Sequence, residues 1–323
     1  MINYFLLAFV VIFFAMNMGA SGIAPSFAAA WGGKIVKKRK ALILFSVFVV
    51  LGAVVLGKNV ALTIGKSLIP QEFMSFRTAL IILTSATLSL FLANILKIPQ
   101  STSQVTVGAV VGAGLYFKHL YVKTLLVKIL PMWVLLPALS YILTFLLYRQ
   151  VYPPEHDNLH IYQKIFANEK KIRLSSLIVC CYVAFAIGTN NVANAAGPLF
   201  GAGILSIGWG LILIGPLFGI GAWLMGKGTL ETAGLEIVPL GLFSSTLVSF
   251  VTATLLIFAS ILGIPQSLVQ LNMASIFAIS SIKNGHRYTL DRHITRKTFV
   301  VWAITPLLST GISYLLLSLF LKG

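Results

Sequence analysis

The chain is written twice. "LGAVVLGKNVALTIGKSLIP" (51–70) and "IGAWLMGKGTLETAGLEIVP" (220–239) share a pattern. Gly52, Ala53, Gly57, Lys58, Thr63, Gly65 and Pro70 recur as Gly221, Ala222, Gly226, Lys227, Thr232, Gly234 and Pro239, each pair 169 residues apart. The same spacing joins Gly19 to Gly188, Trp133 to Trp302 and Pro137 to Pro306. With a three-residue slip, "ILKIPQSTSQ" (95–104) aligns with "ILGIPQSLVQ" (261–270). An ordered series of this kind is a tandem duplication. The fold must therefore be built from two like halves, a pattern behind many secondary transporters.

The solvent of those halves is lipid. Of the 323 residues, 58% are hydrophobic and 10% charged, against roughly 25% charged in ordinary globular domains. Apolar runs of the roughly 20 residues a membrane helix needs recur along the chain, so an all-α integral membrane fold is expected. The net charge of +17 would suggest nucleic acid in a soluble protein. In a membrane protein, basic residues collect in cytoplasmic loops instead, so the bilayer is the expected partner and nucleic acid is not. "YFLLAFVVIFFAM" (4–16) has the look of a signal-peptide core. It lacks a basic flank and lies inside the first repeat, and is read as a retained span. Cys180 and Cys181 are adjacent in an apolar segment, which gives neither a disulfide framework nor metal spacing.

The positive charges orient the halves. "GKIVKKRK" (33–40) has five basic residues and its repeat mate "AGILSIGW" (202–209) none. Conversely, "KNGHRYTLDRHITRK" (283–297) is richer in Lys and Arg than its mate around 118–128. Placing 33–40 inside gives one crossing through 3–32 and spans near 41–57, 76–96, 101–117 and 129–148. An odd number of crossings, about five per half, inverts the second half. The expected organisation is a first inverted repeat over 1–148, a cytoplasmic linker over 149–174 and a second inverted repeat over 175–323. Both termini are then extracytoplasmic, in a multi-pass plasma (inner) membrane protein.

Two pairs of segments look broken. "GASGIAPSFAAAWGG" (19–33) and "GTNNVANAAGPLFGAG" (188–203) are dense in Gly, Pro and small polar residues. "KIPQSTSQVTVGAVVGAG" (97–114) and "GIPQSLVQLNMASIF" (263–277) open with Pro-Gln-Ser. Proline interrupts a helix and forces a restart, leaving free N–H groups at the new N-terminus. Oriented donors and a positive dipole end make that start an anion site. In an inverted repeat, two such starts would meet near the membrane midplane. The plainer reading of the same residues is that Gly and small hydroxyl side chains let helices pack closely.

These residues carry a resemblance. "GTNNVANAAGPL" is similar to the "GANDVANA" signature of the inorganic phosphate transporter family, and "IPQSTSQVTVGAVVGAGL" resembles that family's P-x-S-T-T segment. The resemblance covers nearly the whole chain. It implies an inverted-repeat secondary transporter for a tetrahedral oxyanion, often coupled to sodium or protons. By motif position it places Gly188, Thr189, Asn190, Asn191 and Asn194 on the ion and anion sites. Ser101, Thr102 and Ser103 are placed in the facing hairpin, with Ser21, Gly22 and Ser267 from the equivalent positions. Where the family signature has Asp, this chain has Gly22 in one copy and Asn191 in the other. The second hairpin reads Ser267-Leu268-Val269, so two hydroxyls are missing. Without those carboxylates a family-type sodium site is less expected than proton coupling. The acid-free set also suits sulfate, a fully deprotonated dianion that only accepts hydrogen bonds, because a buried carboxylate beside it would be a like charge and an unpaired acceptor. The chain resembles the family's sulfate permease branch.

Of the seven acids, only Glu231 and Glu236 fall in a segment read as able to dip into the membrane, as candidates for a coupling proton or as solvated loop carboxylates. Lys58 and Lys227 match across the repeat and read either as attractors of the dianion or as interfacial residues that snorkel. No nucleotide loop, metal cluster or nucleophile–base spacing appears, so neither an enzyme nor a cofactor is expected. The expected function is proton-coupled sulfate import by alternating access, with inorganic phosphate as the alternative substrate, an anion channel as a remote alternative, and a homodimer within expectation.

Overall fold

The computed structural model describes residues 2–95, 101–226, 240–291 and 293–321, all helix and connection with no strand among them. The first half contributes α1 (Ile2–Gly32), α2 (Lys38–Leu56), α3 (Lys58–Lys66), α4 (Phe76–Ile95), α5 (Thr102–Phe117) and α6 (Leu130–Arg149), the last entered through a π-helical turn, Thr124–Ile129. A short helix, α7 (Leu159–Phe166), follows. The second half contributes α8 (Glu169–Gly201), α9 (Ile207–Met225), α10 (Leu242–Ile261), α11 (Leu268–Asn284), α12 (His286–Asp291) and α13 (His293–Phe320). The segment read as a linker thus holds α7 and the first turns of α8. Phe166 of α7 rests edge-on to Phe243 of α10, with ring centroids 5.8 Å apart.

Helix starts follow local chemistry. Ser101, Asn168, Ser206 and Ser267 each cap a helix, the side-chain oxygen accepting the N–H three residues on. Both Pro-Gln-Ser stretches therefore end where a helix begins, as the proline breaks required. At the end of α10, Gly263 takes a left-handed conformation (φ +66°), which lets the Ile264 N–H return to the Ala259 carbonyl at 2.8 Å.

Among the described residues, seven helical stretches are long and apolar enough to cross a membrane: 2–32, 38–56, 124–149, 169–201, 207–225, 242–261 and 295–320. The stretch 101–117, read as a span, is shorter. α5 has 16 residues and α11 has 17, about 25 Å at the usual rise against a hydrocarbon core of about 30 Å. Each packs on the helix before it, α4 and α10 respectively, as the second arm of a hairpin. The other expected pair of breaks is absent. α1 runs unbroken through 19–32 and α8 through 188–201, with Pro25 and Pro198 inside them. A proline removes one backbone bond from a helix that is otherwise held along its length, α8 by α2, α3 and α10.

The halves pack reciprocally. α2 lies against α8 while their repeat mates α9 and α1 lie together, and α5 on α13 mirrors α11 on α6. Ser140 donates to the Leu271 carbonyl at 2.9 Å, and its mate Ser309 to the Val105 carbonyl at 2.7 Å. A Cβ at Gly19 would strike the Phe218 carbonyl, and one at Gly188 the Val49 carbonyl. Gly52 meets Phe185 and Gly221 meets Met16 in the same way. These helices touch backbone to backbone, which only glycine permits. Large apolar side chains such as Phe5, Phe9, Val134, Leu307 and Leu319 face outward, as on a lipid-facing surface.

Candidate functional site

A buried polar cluster lies where the middle of α8 meets the tip of the α10–α11 hairpin and the start of α5. Thr189, Asn190 and Asn194 are fully buried. Asn190 holds the hairpin tip. Its Nδ2 donates to the Ser260 hydroxyl at 2.9 Å and the Ile264 carbonyl at 3.0 Å. Its Oδ1 accepts the Gln266 N–H at 3.0 Å, and the Ser103 hydroxyl oxygen lies 3.5 Å from it. Because one partner is a carbonyl and another an N–H, the orientation of the amide is fixed. Both donors of the carboxamide and one acceptor site are thus spent on protein.

Other helices hold the backbone of the tip as well. Asn59 of α3 donates to the Ile261 carbonyl at 2.9 Å, Trp133 of α6 to that of Pro265 at 2.8 Å, and Ser103 of α5 to that of Gln266 at 3.0 Å. Side chains of four helices thus satisfy a stretch of backbone that has left its own helix, as membrane burial demands. Thr189 bonds the Ala186 carbonyl (2.7 Å) and the Ser260 hydroxyl (2.9 Å). Asn194 Nδ2 donates to the hydroxyls of Thr102 (3.3 Å) and Ser103 (3.2 Å), joining α8 to the first turn of α5.

What this network leaves open is specific. Among buried side-chain atoms without a partner are Oδ1 of Asn191 and Asn194, Oε1 of Gln104 and Gln270, and both Oε1 and Nε2 of Gln266. Gln104 and Gln270 stand at equivalent places in the first turns of α5 and α11. The helix geometry also leaves the N–H groups of Thr102 and Ser103, and of Leu268 and Val269, outside intrahelical bonding. Each described acid (Glu72, Glu155, Asp157, Glu169, Asp291) is exposed and away from this cluster. Glu169 and Asp291 pair with arginines at the surface. No group of three or more His, Cys, Asp or Glu side chains among the described residues offers a metal site.

Of the sequence-derived site residues, Ser101, Thr102, Ser103, Thr189, Asn190, Asn194 and Ser267 gather here, with Asn191 beside them on α8. Ser101 and Ser267 serve as caps, accepting the N–H of Gln104 and Gln270 at 3.2 Å. The other three stand apart. Ser21 is exposed and bonds the Met18 carbonyl. A Cβ at Gly22 would meet Phe45 and Ile187, an apolar contact, and Gly188 faces α2. Glu231, Glu236 and Lys227 lie outside the described residues, and Lys58 is exposed. Sequence reasoning missed Gln104, Gln266, Gln270, Ser260, Asn59 and Trp133. The glutamines carried a signal, since "PQS" and the Gln three residues after the serine recur in both halves.

Known proteins resemble this chain in sequence and in architecture. The sequence pattern described as the phosphate transporter family matches residues 18–313. The sulfate permease CysP of Bacillus subtilis (strain 168) is 41% identical over 317 residues, 97% of this chain and 86% of that protein. Sodium-dependent phosphate transporter 2 of Cricetulus griseus is 27% identical, over 46% of this chain and 24% of its own length. A solved structure titled the sodium-dependent phosphate transporter superposes with a TM-score of 0.82 at 22% identity, covering 99% of this chain and 100% of that one.

Proposed function

The chain belongs to the phosphate transporter family, and from that premise we propose that it is a sulfate permease: a secondary transporter carrying the dianion across the plasma (inner) membrane by alternating access between two inverted halves, driven by protons. It is an anion transporter and not an enzyme. The observation that carries the sulfate reading is the chemistry of the buried cluster. Hydroxyls, carboxamides and two helix starts converge there, and no described acid lies among them. Sulfate offers acceptors only, so such a lining suits it, whereas a buried carboxylate would repel it. The high identity to a protein named a sulfate permease supports the same reading. The reciprocal packing supports alternating access, since paired halves can exchange their arrangements.

One observation favours a second reading. Five of the unpartnered buried atoms are amide oxygens, which hydrogen phosphate, with a proton of its own, would satisfy and sulfate would not. Competition separates the two. In proteoliposomes taking up labelled sulfate, unlabelled sulfate and selenate are expected to inhibit, and phosphate poorly at any pH. Phosphate inhibiting as well as sulfate would transfer the proposal to phosphate. A pH gradient, but not a sodium gradient, is expected to drive uptake.

The topology reading places both termini outside and 33–40, 149–174 and 283–297 in the cytoplasm. Its support is the distribution of Lys and Arg, a bias that follows cytoplasmic exposure. A single cysteine placed by His160→Cys in a background free of Cys180 and Cys181 is expected to react with an impermeant maleimide in inside-out vesicles. Strong labelling on intact cells would reverse the orientation.

A further inference from the structure

Among the described glutamines of the cluster, Gln266 is the one whose side chain is open at both ends. It is fully buried, and neither Nε2 nor Oε1 has a partner. Its main chain is the reverse, with the N–H given to Asn190 and the carbonyl bonded by Ser103. The backbone is therefore pinned on two sides, between α8 and α5, while the amide it carries is left idle. A buried amide without partners is costly, and its neighbours Asn190, Thr189 and Ser103 have all found partners. Such a group is retained where something outside the protein completes it. Gln266 immediately precedes Ser267, the cap of α11, whose first turn presents free backbone N–H groups. Two amide N–H donors beside a helix start, with no described acid in the cluster, match the needs of a tetrahedral oxyanion.

We infer that the side-chain amide of Gln266 is a direct ligand of the transported oxyanion and a determinant of which oxyanion is accepted. The inference rests on the proposed transport function but not on sulfate in particular. Nε2 donates to the anion, and Oε1 takes a donor that accompanies it, a water with sulfate or the O–H of hydrogen phosphate. A ligand at this residue sits on the hairpin tip itself, so binding reports directly on the element that α3, α5, α6 and α8 hold in place.

The test uses full-length protein in proteoliposomes with labelled sulfate, and melting of the purified protein with and without sulfate. Gln266→Leu keeps the size and removes the amide. It is expected to raise the half-saturating sulfate concentration about 10-fold or more, and to abolish the sulfate-induced rise in melting temperature. Without sulfate it is expected to melt at or above the wild-type temperature, because no internal bond is lost. Gln266→Glu is expected to impair sulfate uptake more than Gln266→Leu near neutral pH and to recover partly as the pH is lowered and the new carboxyl takes up a proton. Wild-type half-saturation in Gln266→Leu would overturn the inference. So would a Gln266→Leu protein that melts well below wild type without ligand, since the amide would then be a structural group. If wild-type protein carries phosphate and not sulfate, the sulfate reading falls, and the same variants measured with phosphate decide the role of Gln266.

Discussion

Replacing Gly188 by alanine is expected to drive α8 away from α2 and to cost most of the folded protein. The added Cβ would strike the backbone carbonyl of Val49 and lie 2.8 Å from the Ala53 nitrogen. Neither is a side chain that can rotate away. Alanine in place of glycine within a helix is worth up to about 1 kcal/mol in propensity, and overpacking costs about 1–3 kcal/mol, more where a backbone must shift. The clash wins, because relief requires moving two helices that also meet at Gly52 against Phe185. Gly208, in α9, has open space around its missing Cβ, so Gly208→Ala should leave stability unchanged or slightly raised. Melting of the purified variants compares the two. Equal melting temperatures would show that the interface yields and that glycine is not needed there.

Asn190→Ala is expected to release the hairpin tip and to remove transport. The substitution leaves the Gln266 N–H and the Ile264 carbonyl buried without partners, and takes a donor from Ser260. Each orphaned buried group costs about 1–3 kcal/mol, so about 2–6 kcal/mol is withdrawn from one short stretch. That is a large part of a typical total stability of about 5–15 kcal/mol. Asn190→Asp keeps the shape and still accepts from Gln266, but it no longer donates to Ile264 and brings a buried negative charge. It should be at least as damaging to anion uptake near neutral pH. Uptake by reconstituted protein, normalised to the folded fraction, is the measurement. Asn190→Ala protein with wild-type uptake would mean that Trp133, Asn59 and Ser103 hold the tip unaided.

Much of this was legible in the residues. The 169-residue repeat foretold paired helices, and the apolar runs foretold that they would lie in lipid. Pro99-Gln100-Ser101 and Pro265-Gln266-Ser267 marked two helix starts correctly, because proline and a capping serine act locally. "GTNNVANAAGPL" was misleading for the opposite reason. Its glycine and asparagines look like a break, yet each serves a distant partner: Gly188 the α2 backbone, Asn190 the hairpin tip, Asn194 the start of α5. Tertiary bonds from a continuous helix leave no mark that separates them from a loop. Ser21 and Gly22, expected from repeat symmetry, do not bond into this cluster: Ser21 turns back to its own helix, and a Cβ at Gly22 would meet Phe45 and Ile187. Gln266 stood in a quoted motif and went unweighed, since only burial reveals that its amide has nothing to bond.

The reciprocal glycine contacts have the form of an isologous interface, the kind two identical subunits make across a two-fold axis. Two half-length chains meeting this way would form a dimer in which every substitution appears on both sides at once. A clamp such as Asn190 and Asn194 would then be built twice, with both hairpins gripped alike. Gene fusion lifts that obligation. In the joined chain, Ser21 and Pro25 occupy the positions equivalent to those two asparagines, so the two halves were free to differ there. Fusion thus allows what a dimer of identical chains cannot have, different side chains at equivalent positions of a shared scaffold.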